Sequence, residues 1–262
     1  MKKVIVSWSG GKDSCLACYK AMQDSYEISY LLNTISKEYK RVRFHGLKNV
    51  LIQDQAEALD IPLLQKETTG ESYEQEFKDI IKTVIPEGVR GVVFGDIFLH
   101  MRKWADKVCT ELKIQSIEPL CGHGSEEILL DFIDSGFEAI VVATQANLLD
   151  EKWLGRKLDK SFLEDIKKLK NIDVCGENGE YHTLVVDGPI FRKRIDISKS
   201  EKVLRDGYWF LDIQEYGLTE TSNKYKIIDQ AAQQFAEILV DLIDEKNSIK
   251  NKDLLDNNDS DV

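Results

Sequence analysis

Ser9-Gly10-Gly11-Lys12-Asp13-Ser14 is the stretch of this 262-residue chain best equipped for chemistry. Adjacent glycines let the backbone turn sharply and bring N–H groups close to an anion. Ser9 and Ser14 add hydroxyl donors, and Lys12 adds a mobile cation. An apolar run from Val4 to Trp8 leads into the stretch. Helical spacing leads out of it, with Cys15, Leu16, Cys18, Tyr19 and Met22 recurring between Asp13 and Gln23. A loop between a strand and a helix receives the positive end of the helix dipole and its unpaired amides. These features describe a cradle for several phosphate charges. The spacing fits neither the Walker A loop nor the Gly-x-Gly-x-x-Gly dinucleotide fingerprint.

A second group lies near Cys175-Gly176-Glu177-Asn178-Gly179-Glu180-Tyr181-His182-Thr183. Asn178-Gly179 is a strong turn signal, so Glu177 and Glu180 are expected to flank a tight turn and project near each other. Paired carboxylates suit an ammonium or trimethylammonium group, or a metal. Arg156 can clamp a carboxylate or phosphate bidentately, and His182 and Thr183 can orient a substrate or accept a proton. Asp96 follows the glycine-bounded run Gly91 to Gly95 and can hold magnesium through water. Arg102, a little further on, is a candidate phosphate contact. Other signals read as structure: Cys15-x-x-Cys18 as core thiols, and the basic clusters Lys37 to Arg43 and Arg192 to Arg194 as solvated faces.

These groups need a scaffold, and the first half of the chain supplies an alternating one. Strands are expected at Val4–Trp8, Ile28–Ile35, Ile61–Leu64, Gly91–Gly95 and Ile114–Ile117. Helices are expected over Asp13–Gln23, Leu47–Leu59, Ser72–Ile85, Leu99–Leu112 and Glu126–Asp134. This rhythm predicts an α/β fold with a doubly wound, mostly parallel, Rossmann-like sheet, which binds ligands at the carboxyl ends of its strands. After about Gly136 the pattern changes. A strand at Phe137–Thr144 and a helix at Lys160–Lys170 precede β-like segments at Tyr181–Val186 and Ile190–Ile197. The expected organisation is a nucleotide-binding domain over 1–135 and a smaller α+β substrate domain over 136–225. A C-terminal helix and disordered acidic tail are expected over 226–262. The apolar stripe Ile228, Ala231, Ala232, Phe235, Ile238, Leu239 and Leu242 suits packing, or alternatively a homodimer.

Composition narrows the partners. With 35 Lys+Arg against 46 Asp+Glu the net charge is −11, which disfavours a DNA backbone or an anionic membrane. No run approaches the ~18–20 apolar residues of a membrane span. Five irregularly spaced cysteines and a short apolar start suit a cytoplasmic protein.

The hexapeptide at 9–14 resembles the signature loop of the ATP pyrophosphatases, the PP-loop superfamily. The segment 175–183, with Gly188-Pro189-Ile190-Phe191, Trp153-Leu154-Gly155-Arg156, Glu118-Pro119-Leu120 and Gly95-Asp96, closely resembles the diphthine–ammonia ligase family. The resemblance covers about residues 3–215. It implies a HUP-type (PP-loop) fold and an ATP-dependent amide ligase. Such an enzyme adenylates a carboxylate, releases pyrophosphate, and lets ammonia displace AMP. ATP would lie on Ser9, Gly10, Gly11, Lys12, Asp13, Ser14, Asn33 and Arg102, with Lys12, Asp13 and Ser14 catalytic. Mg2+ would sit at Asp96, and the acceptor at Arg156, Glu177, Glu180, His182 and Thr183. The implied partners are ammonium and a carboxylate acceptor, with diphthine on elongation factor 2 as the family's own. No glutaminase segment is evident, so nitrogen comes from free ammonium or a partner. Lys40-Arg41-Val42-Arg43-Phe44-His45-Gly46 departs from the Met, aromatic and Thr that diphthine-directed members carry there. The acceptor is therefore open between diphthine, another small acid and tRNA, and an ATP- or AMP-binding protein without turnover is the non-enzyme alternative.

Overall fold

The structure, a computed structural model, describes residues 1–38 and 46–221. The departing segment 40–45 and the expected C-terminal helix and tail lie outside the described residues.

Val4, Ile5 and Val6 are at most 1% exposed. An unbroken apolar run of this kind belongs to a strand covered on both faces, and it forms the centre of β1 (Lys2–Ser7). Around it β2 (Tyr26–Ser36), β3 (Leu63–Thr68), β4 (Val89–Val93) and β5 (Gln115–Ile117) complete a five-stranded sheet. Its order is β3-β2-β1-β4-β5, and every pairing is parallel. The chain steps outward from β1 to β3 and then crosses to β4 on the other side. The switch point, where ligand crevices open in such sheets, falls between β1 and β4.

Helices α1 (Lys12–Gln23) and α2 (Asn49–Leu59) bury Leu16, Leu51 and Ile52 in one core with Val4 and Val6. On the opposite face, α3 (Tyr73–Val84) and α4 (Leu99–Leu112) bury Phe77, Ile81, Ala105 and Val108 in a second core with Ile5 and Leu32. The sheet is therefore wound on both faces, as the alternating pattern predicts. β3 runs further than the expected Ile61–Leu64 because β2 is long enough to pair with it as far as Ser36↔Thr68. As an edge strand it accommodates the polar run Gln65-Lys66-Glu67.

Helix α5 (Ser125–Asp134) leads to a second sheet of β6 (Glu138–Gln145), β7 (Tyr181–Asp187), β8 (Lys193–Arg205) and β9 (Tyr208–Glu220). This sheet is antiparallel throughout, in the order β7-β6-β9-β8. The sequence reading stopped β8 at Ile197 and missed β9. The hairpin turns on Asp206-Gly207, with φ of 48° and 81°. Positive φ at both central residues fits a type I′ turn, for which Asp-Gly is a favoured pair. Helix α6 (Lys160–Ile166) is shorter than the expected Lys160–Lys170. Residues 167–171 are all exposed, so no burial holds a further turn in place. Asp159 starts the helix by accepting the Phe162 N–H at 2.9 Å.

Residues 1–220 form one compact unit. One core joins α1, α2 and α5 to the antiparallel sheet through residues such as Leu16, Phe132, Phe162 and Leu184. Phe162 is fully buried, edge-on to Trp153 at 5.5 Å and to Tyr181 at 5.4 Å. Phe162→Ala is expected to destabilise the protein by about 3–5 kcal/mol, read as a lower urea midpoint with an unchanged slope.

Candidate active site

The phosphate loop is shaped by contacts on all sides. Gly10 sits at φ 83°, in the left-handed region, and a Cβ there would fall 2.6 Å from Ile52. The Gly10 carbonyl accepts the Val185 N–H of β7 at 3.0 Å. The Lys12 N–H donates to Thr183 Oγ1, also on β7, at 3.0 Å. Within the loop, Ser9 Oγ accepts the Gly11 N–H at 3.3 Å, and Ser14 Oγ donates to the Gly11 carbonyl at 3.1 Å. Gly11 is the N-cap of α1 and has no side chain to cap it. Its first-turn amides are left to other partners. Gly95, after β4, lies against this helix start: a Cβ there would be 2.8 Å from the backbone of Asp13 and Ser14.

A cavity of about 800 Å³ opens over the carboxyl ends of β1, β2 and β4. Ser9, Asp13 and Ser14 form its floor, with Ser7, Trp8, Asn33 and Thr34 to one side. Phe94, Asp96, His100, Tyr73 and Trp104 stand on another, and the turn 176–179 with His182, Thr183 and Tyr208 completes the lining. Eight of the residues expected from the sequence line it, Glu177 among them: Ser9, Asp13, Ser14, Asn33, Asp96, His182 and Thr183 are the other seven. Asn33 is nearly buried and has its side chain engaged, donating to the Trp8 carbonyl at 2.8 Å and accepting from Gln65 at 3.0 Å.

Four expected residues are placed differently. Lys12 does not line the cavity. Its ammonium is buried, 2.8 Å from Asp13 Oδ2, 4.0 Å from Glu177 and 5.5 Å over the Tyr181 ring. It underpins the acids of the floor instead of reaching out as a mobile cation. Glu180 is 1% exposed and does not stand beside Glu177 as a second free acid. Its carboxylate accepts the N–H groups of Asp173 at 2.8 Å and Asn178 at 2.9 Å, and so builds the turn. Arg156 pairs with Asp165 at 2.9 Å and lies over the Trp153 ring at 4.7 Å, away from the cavity. Arg102 is half exposed, 3.2 Å from Asp106 and 3.6 Å from Glu118, and also lies outside the lining. Arg102 pairs with Asp106 one helical turn on, a partner its i,i+4 spacing discloses, whereas the Arg156–Asp165 pair depends on how the chain folds back. Trp8, Tyr73, Trp104 and Tyr208 were missed. Aromatic residues at strand and helix ends were the available signal.

The electrostatics are those of crowded acids. Burial pushes the Glu177 carboxyl up to about 8, reinforced by repulsion from Asp13 and only partly offset by Lys12. Burial also raises Asp96 to about 6, with Glu118 and Asp13 adding repulsion. Lys12 is held well above the usual lysine range despite its burial, chiefly by Asp13. Asp13 Oδ1 is buried and has no hydrogen-bond partner. Hard carboxylate oxygens with an unpartnered member fit Mg2+, which typically uses one or two carboxylates and fills its remaining positions with water and phosphate. Among the described residues no three acids, histidines or cysteines converge closely enough to form a closed metal cage.

A Rossmann-like parallel sheet carrying this loop at its β1–α1 turn defines a protein of the PP-loop class. Comparison with known proteins resolves it further. The family described as "Diphthamide synthase N-terminal domain" matches residues 2–116, and "Diphthamide synthase C-terminal domain" matches 124–219. The chain belongs to the diphthine–ammonia ligase family of ATP-dependent amide ligases. Diphthine--ammonia ligase of Bos taurus is 30% identical over 220 residues, 74% of this chain and 82% of that one. The Rattus norvegicus protein of the same name is 29% identical, over 78% of this chain and 86% of its own. The Schizosaccharomyces pombe protein of that name is longer: 31% identity spans 77% of this chain but 37% of the relative. A solved chain described as a predicted subunit of tRNA methyltransferase from Methanocaldococcus jannaschii superposes with a TM-score of 0.38 at 18% identity. It covers 71% of this chain and 97% of its own, and so loose a superposition supports no inference.

The acid cluster has a measurable consequence. Folded Glu177 keeps a proton that the unfolded chain releases near its ordinary value of 4.5. Between about 4.5 and 8 the folded state therefore binds more protons, and stability falls as pH rises through this window. Glu177→Gln is expected to remove that slope in urea unfolding at stepped pH. Lys12→Met is expected to raise the Glu177 midpoint further in a carboxyl NMR titration.

Proposed function

We propose that this chain binds ATP with Mg2+ at the loop 9–14 and joins ammonia to a carboxylate acceptor, namely diphthine on elongation factor 2. The observation that carries the reading is the loop's placement at the switch point, on the floor of a cavity large enough for a nucleotide and an acceptor group. The names of relatives matched over most of their length support the choice of acceptor. Free thiols at Cys15, Cys18, Cys109 and Cys175, all buried, support a reducing, cytoplasmic setting.

Bound ATP supplies the adenylyl group that activates the acceptor and the pyrophosphate that leaves, with Mg2+ neutralising phosphate charge. The chain's own groups do the rest. Ser9, Ser14 and the start of α1 face the leaving charge with hydroxyls and the positive helix end, fixed in advance of the reaction. Asp13 and Asp96 are the oxygen donors for the metal. Glu177, protonated on most molecules at neutral pH, exchanges its proton close to the working range. Its ionised fraction, which grows as pH rises toward 8, would take the proton that ammonium must lose before it attacks. His182 and Thr183 orient the acceptor from the β7 side.

The test is release of pyrophosphate and AMP from ATP in the presence of ammonium and diphthine-bearing elongation factor 2. Equal amounts of both products are expected, dependent on the acceptor, with amide formed on the diphthine. Ser14→Ala should lower the rate by about a hundredfold. Product that is independent of the acceptor, or that follows tRNA or a small acid instead, would contradict the diphthine reading. Nucleotide binding without any turnover would make the chain a sensor.

A further inference from the structure

Among the buried residues of α2, Gln55 alone is polar, and it is fully shielded from solvent. Its carboxamide makes three hydrogen bonds, with both N–H donors and the oxygen engaged. Oε1 accepts the Trp8 indole N–H at 2.9 Å. Nε2 donates to the Gly10 carbonyl at 3.1 Å and to the Val185 carbonyl at 2.8 Å. The indole can only donate and the two carbonyls can only accept, so the orientation of the amide is determined.

We infer that Gln55 is a positioning residue of the phosphate loop, a latch that turns the loop's peptide groups toward the anion. The argument runs through one peptide plane. The Gly10 carbonyl is drawn inward by two donors, Gln55 Nε2 and the Val185 N–H. In a trans peptide the following N–H points the opposite way. Gly11 N–H is thereby turned toward the Oγ of Ser9, a residue that lines the cavity. The same amide joins this plane to Trp8, where the loop leaves β1, and to β7, which also receives the Lys12 N–H through Thr183. A buried amide sits here because an apolar side chain would take from the Trp8 indole N–H the partner it has and from the Gly10 carbonyl one of its two donors. The catalytic meaning of the latch rests on the proposed nucleotide chemistry; the latch itself rests on these contacts.

Two variants test it. Gln55→Leu keeps the bulk and removes all three bonds. Hydrogen exchange of the protein without nucleotide is expected to show protection at the Lys12 and Val185 amides lowered by about tenfold or more. Ile128 in α5, far from the latch in the chain, serves as the control. Pyrophosphate release is expected to fall between about tenfold and a hundredfold. Gln55→Glu can still donate one hydrogen bond while protonated, but its ionised form faces two carbonyls with no donor. Relative to wild type, its Lys12 protection and its turnover are expected to fall together between about pH 6 and about pH 9, where a buried glutamate ionises. If Gln55→Leu fails to fold, Gln55→Glu at the lower pH carries the same comparison. Protection at Lys12 and Val185 within about twofold of wild type in both variants, at every pH, would overturn the latch. If wild type releases no pyrophosphate, the nucleotide reading fails, while the exchange data still decide the latch.

Discussion

The site depends on a short piece of backbone pairing between parts of the chain that are about 170 residues apart: Val185 N–H to the Gly10 carbonyl, and Lys12 N–H to Thr183. A glycine-rich loop left to itself samples many conformations, because glycine carries little steric preference. Here its apex is pinned to β7 of the antiparallel sheet. The sheet that roofs the cavity thus also sets the shape of the loop on its floor. The cost of ordering the loop is met on folding, before any ligand arrives, which is what electrostatic preorganisation requires.

That pairing also explains the charge arrangement beneath the loop. With its backbone N–H tied to Thr183, Lys12 directs its ammonium under the loop, among Asp13, Glu177 and the Tyr181 ring. One cation is shared by Asp13 and Glu177, and it does not offset the burial that raises the Glu177 carboxyl. Under the proposed nucleotide binding, phosphates would meet a wall of acids, and the positive partners they need must come from elsewhere. The helix end is one, and a metal brought in with the phosphates is the chemically consistent second.

Gly95 and Glu180 show how much of the site consists of fitting rather than reacting groups. Gly95 has no side chain because the start of α1 occupies that space. Glu180 is acidic by residue type, yet its carboxyl oxygens are engaged by the amides that form the turn holding Glu177 at the cavity. From the sequence, Glu177 and Glu180 are indistinguishable: same residue type, same turn, three positions apart. Which one bonds backbone and which one faces the cavity follows from how the loop 173–180 folds over Tyr181. Arg102 and Arg156 are likewise engaged, by Asp106 one helical turn on and by Asp165 of α6.

The sequence by itself determined the elements whose information is local. Apolar periodicity marked the alternating strands and helices, and with them the doubly wound sheet and its binding edge. The order of residues 9–14 marked the loop, because its glycines, hydroxyls and following helix are contiguous. The hairpin of β8 and β9 escaped the reading: its strands carry too many exposed polar residues to stand out by pattern, although Asp206-Gly207 is a local turn signal. Only the tertiary structure decided the rest. The burial of Lys12, the inward turn of Glu180, the aromatic wall of Tyr73 and Trp104, and the bonds of Gln55 all depend on groups brought together across long stretches of chain. Hydrogen bonding and desolvation act over a few ångströms of space, and residue spacing along the chain does not report those distances.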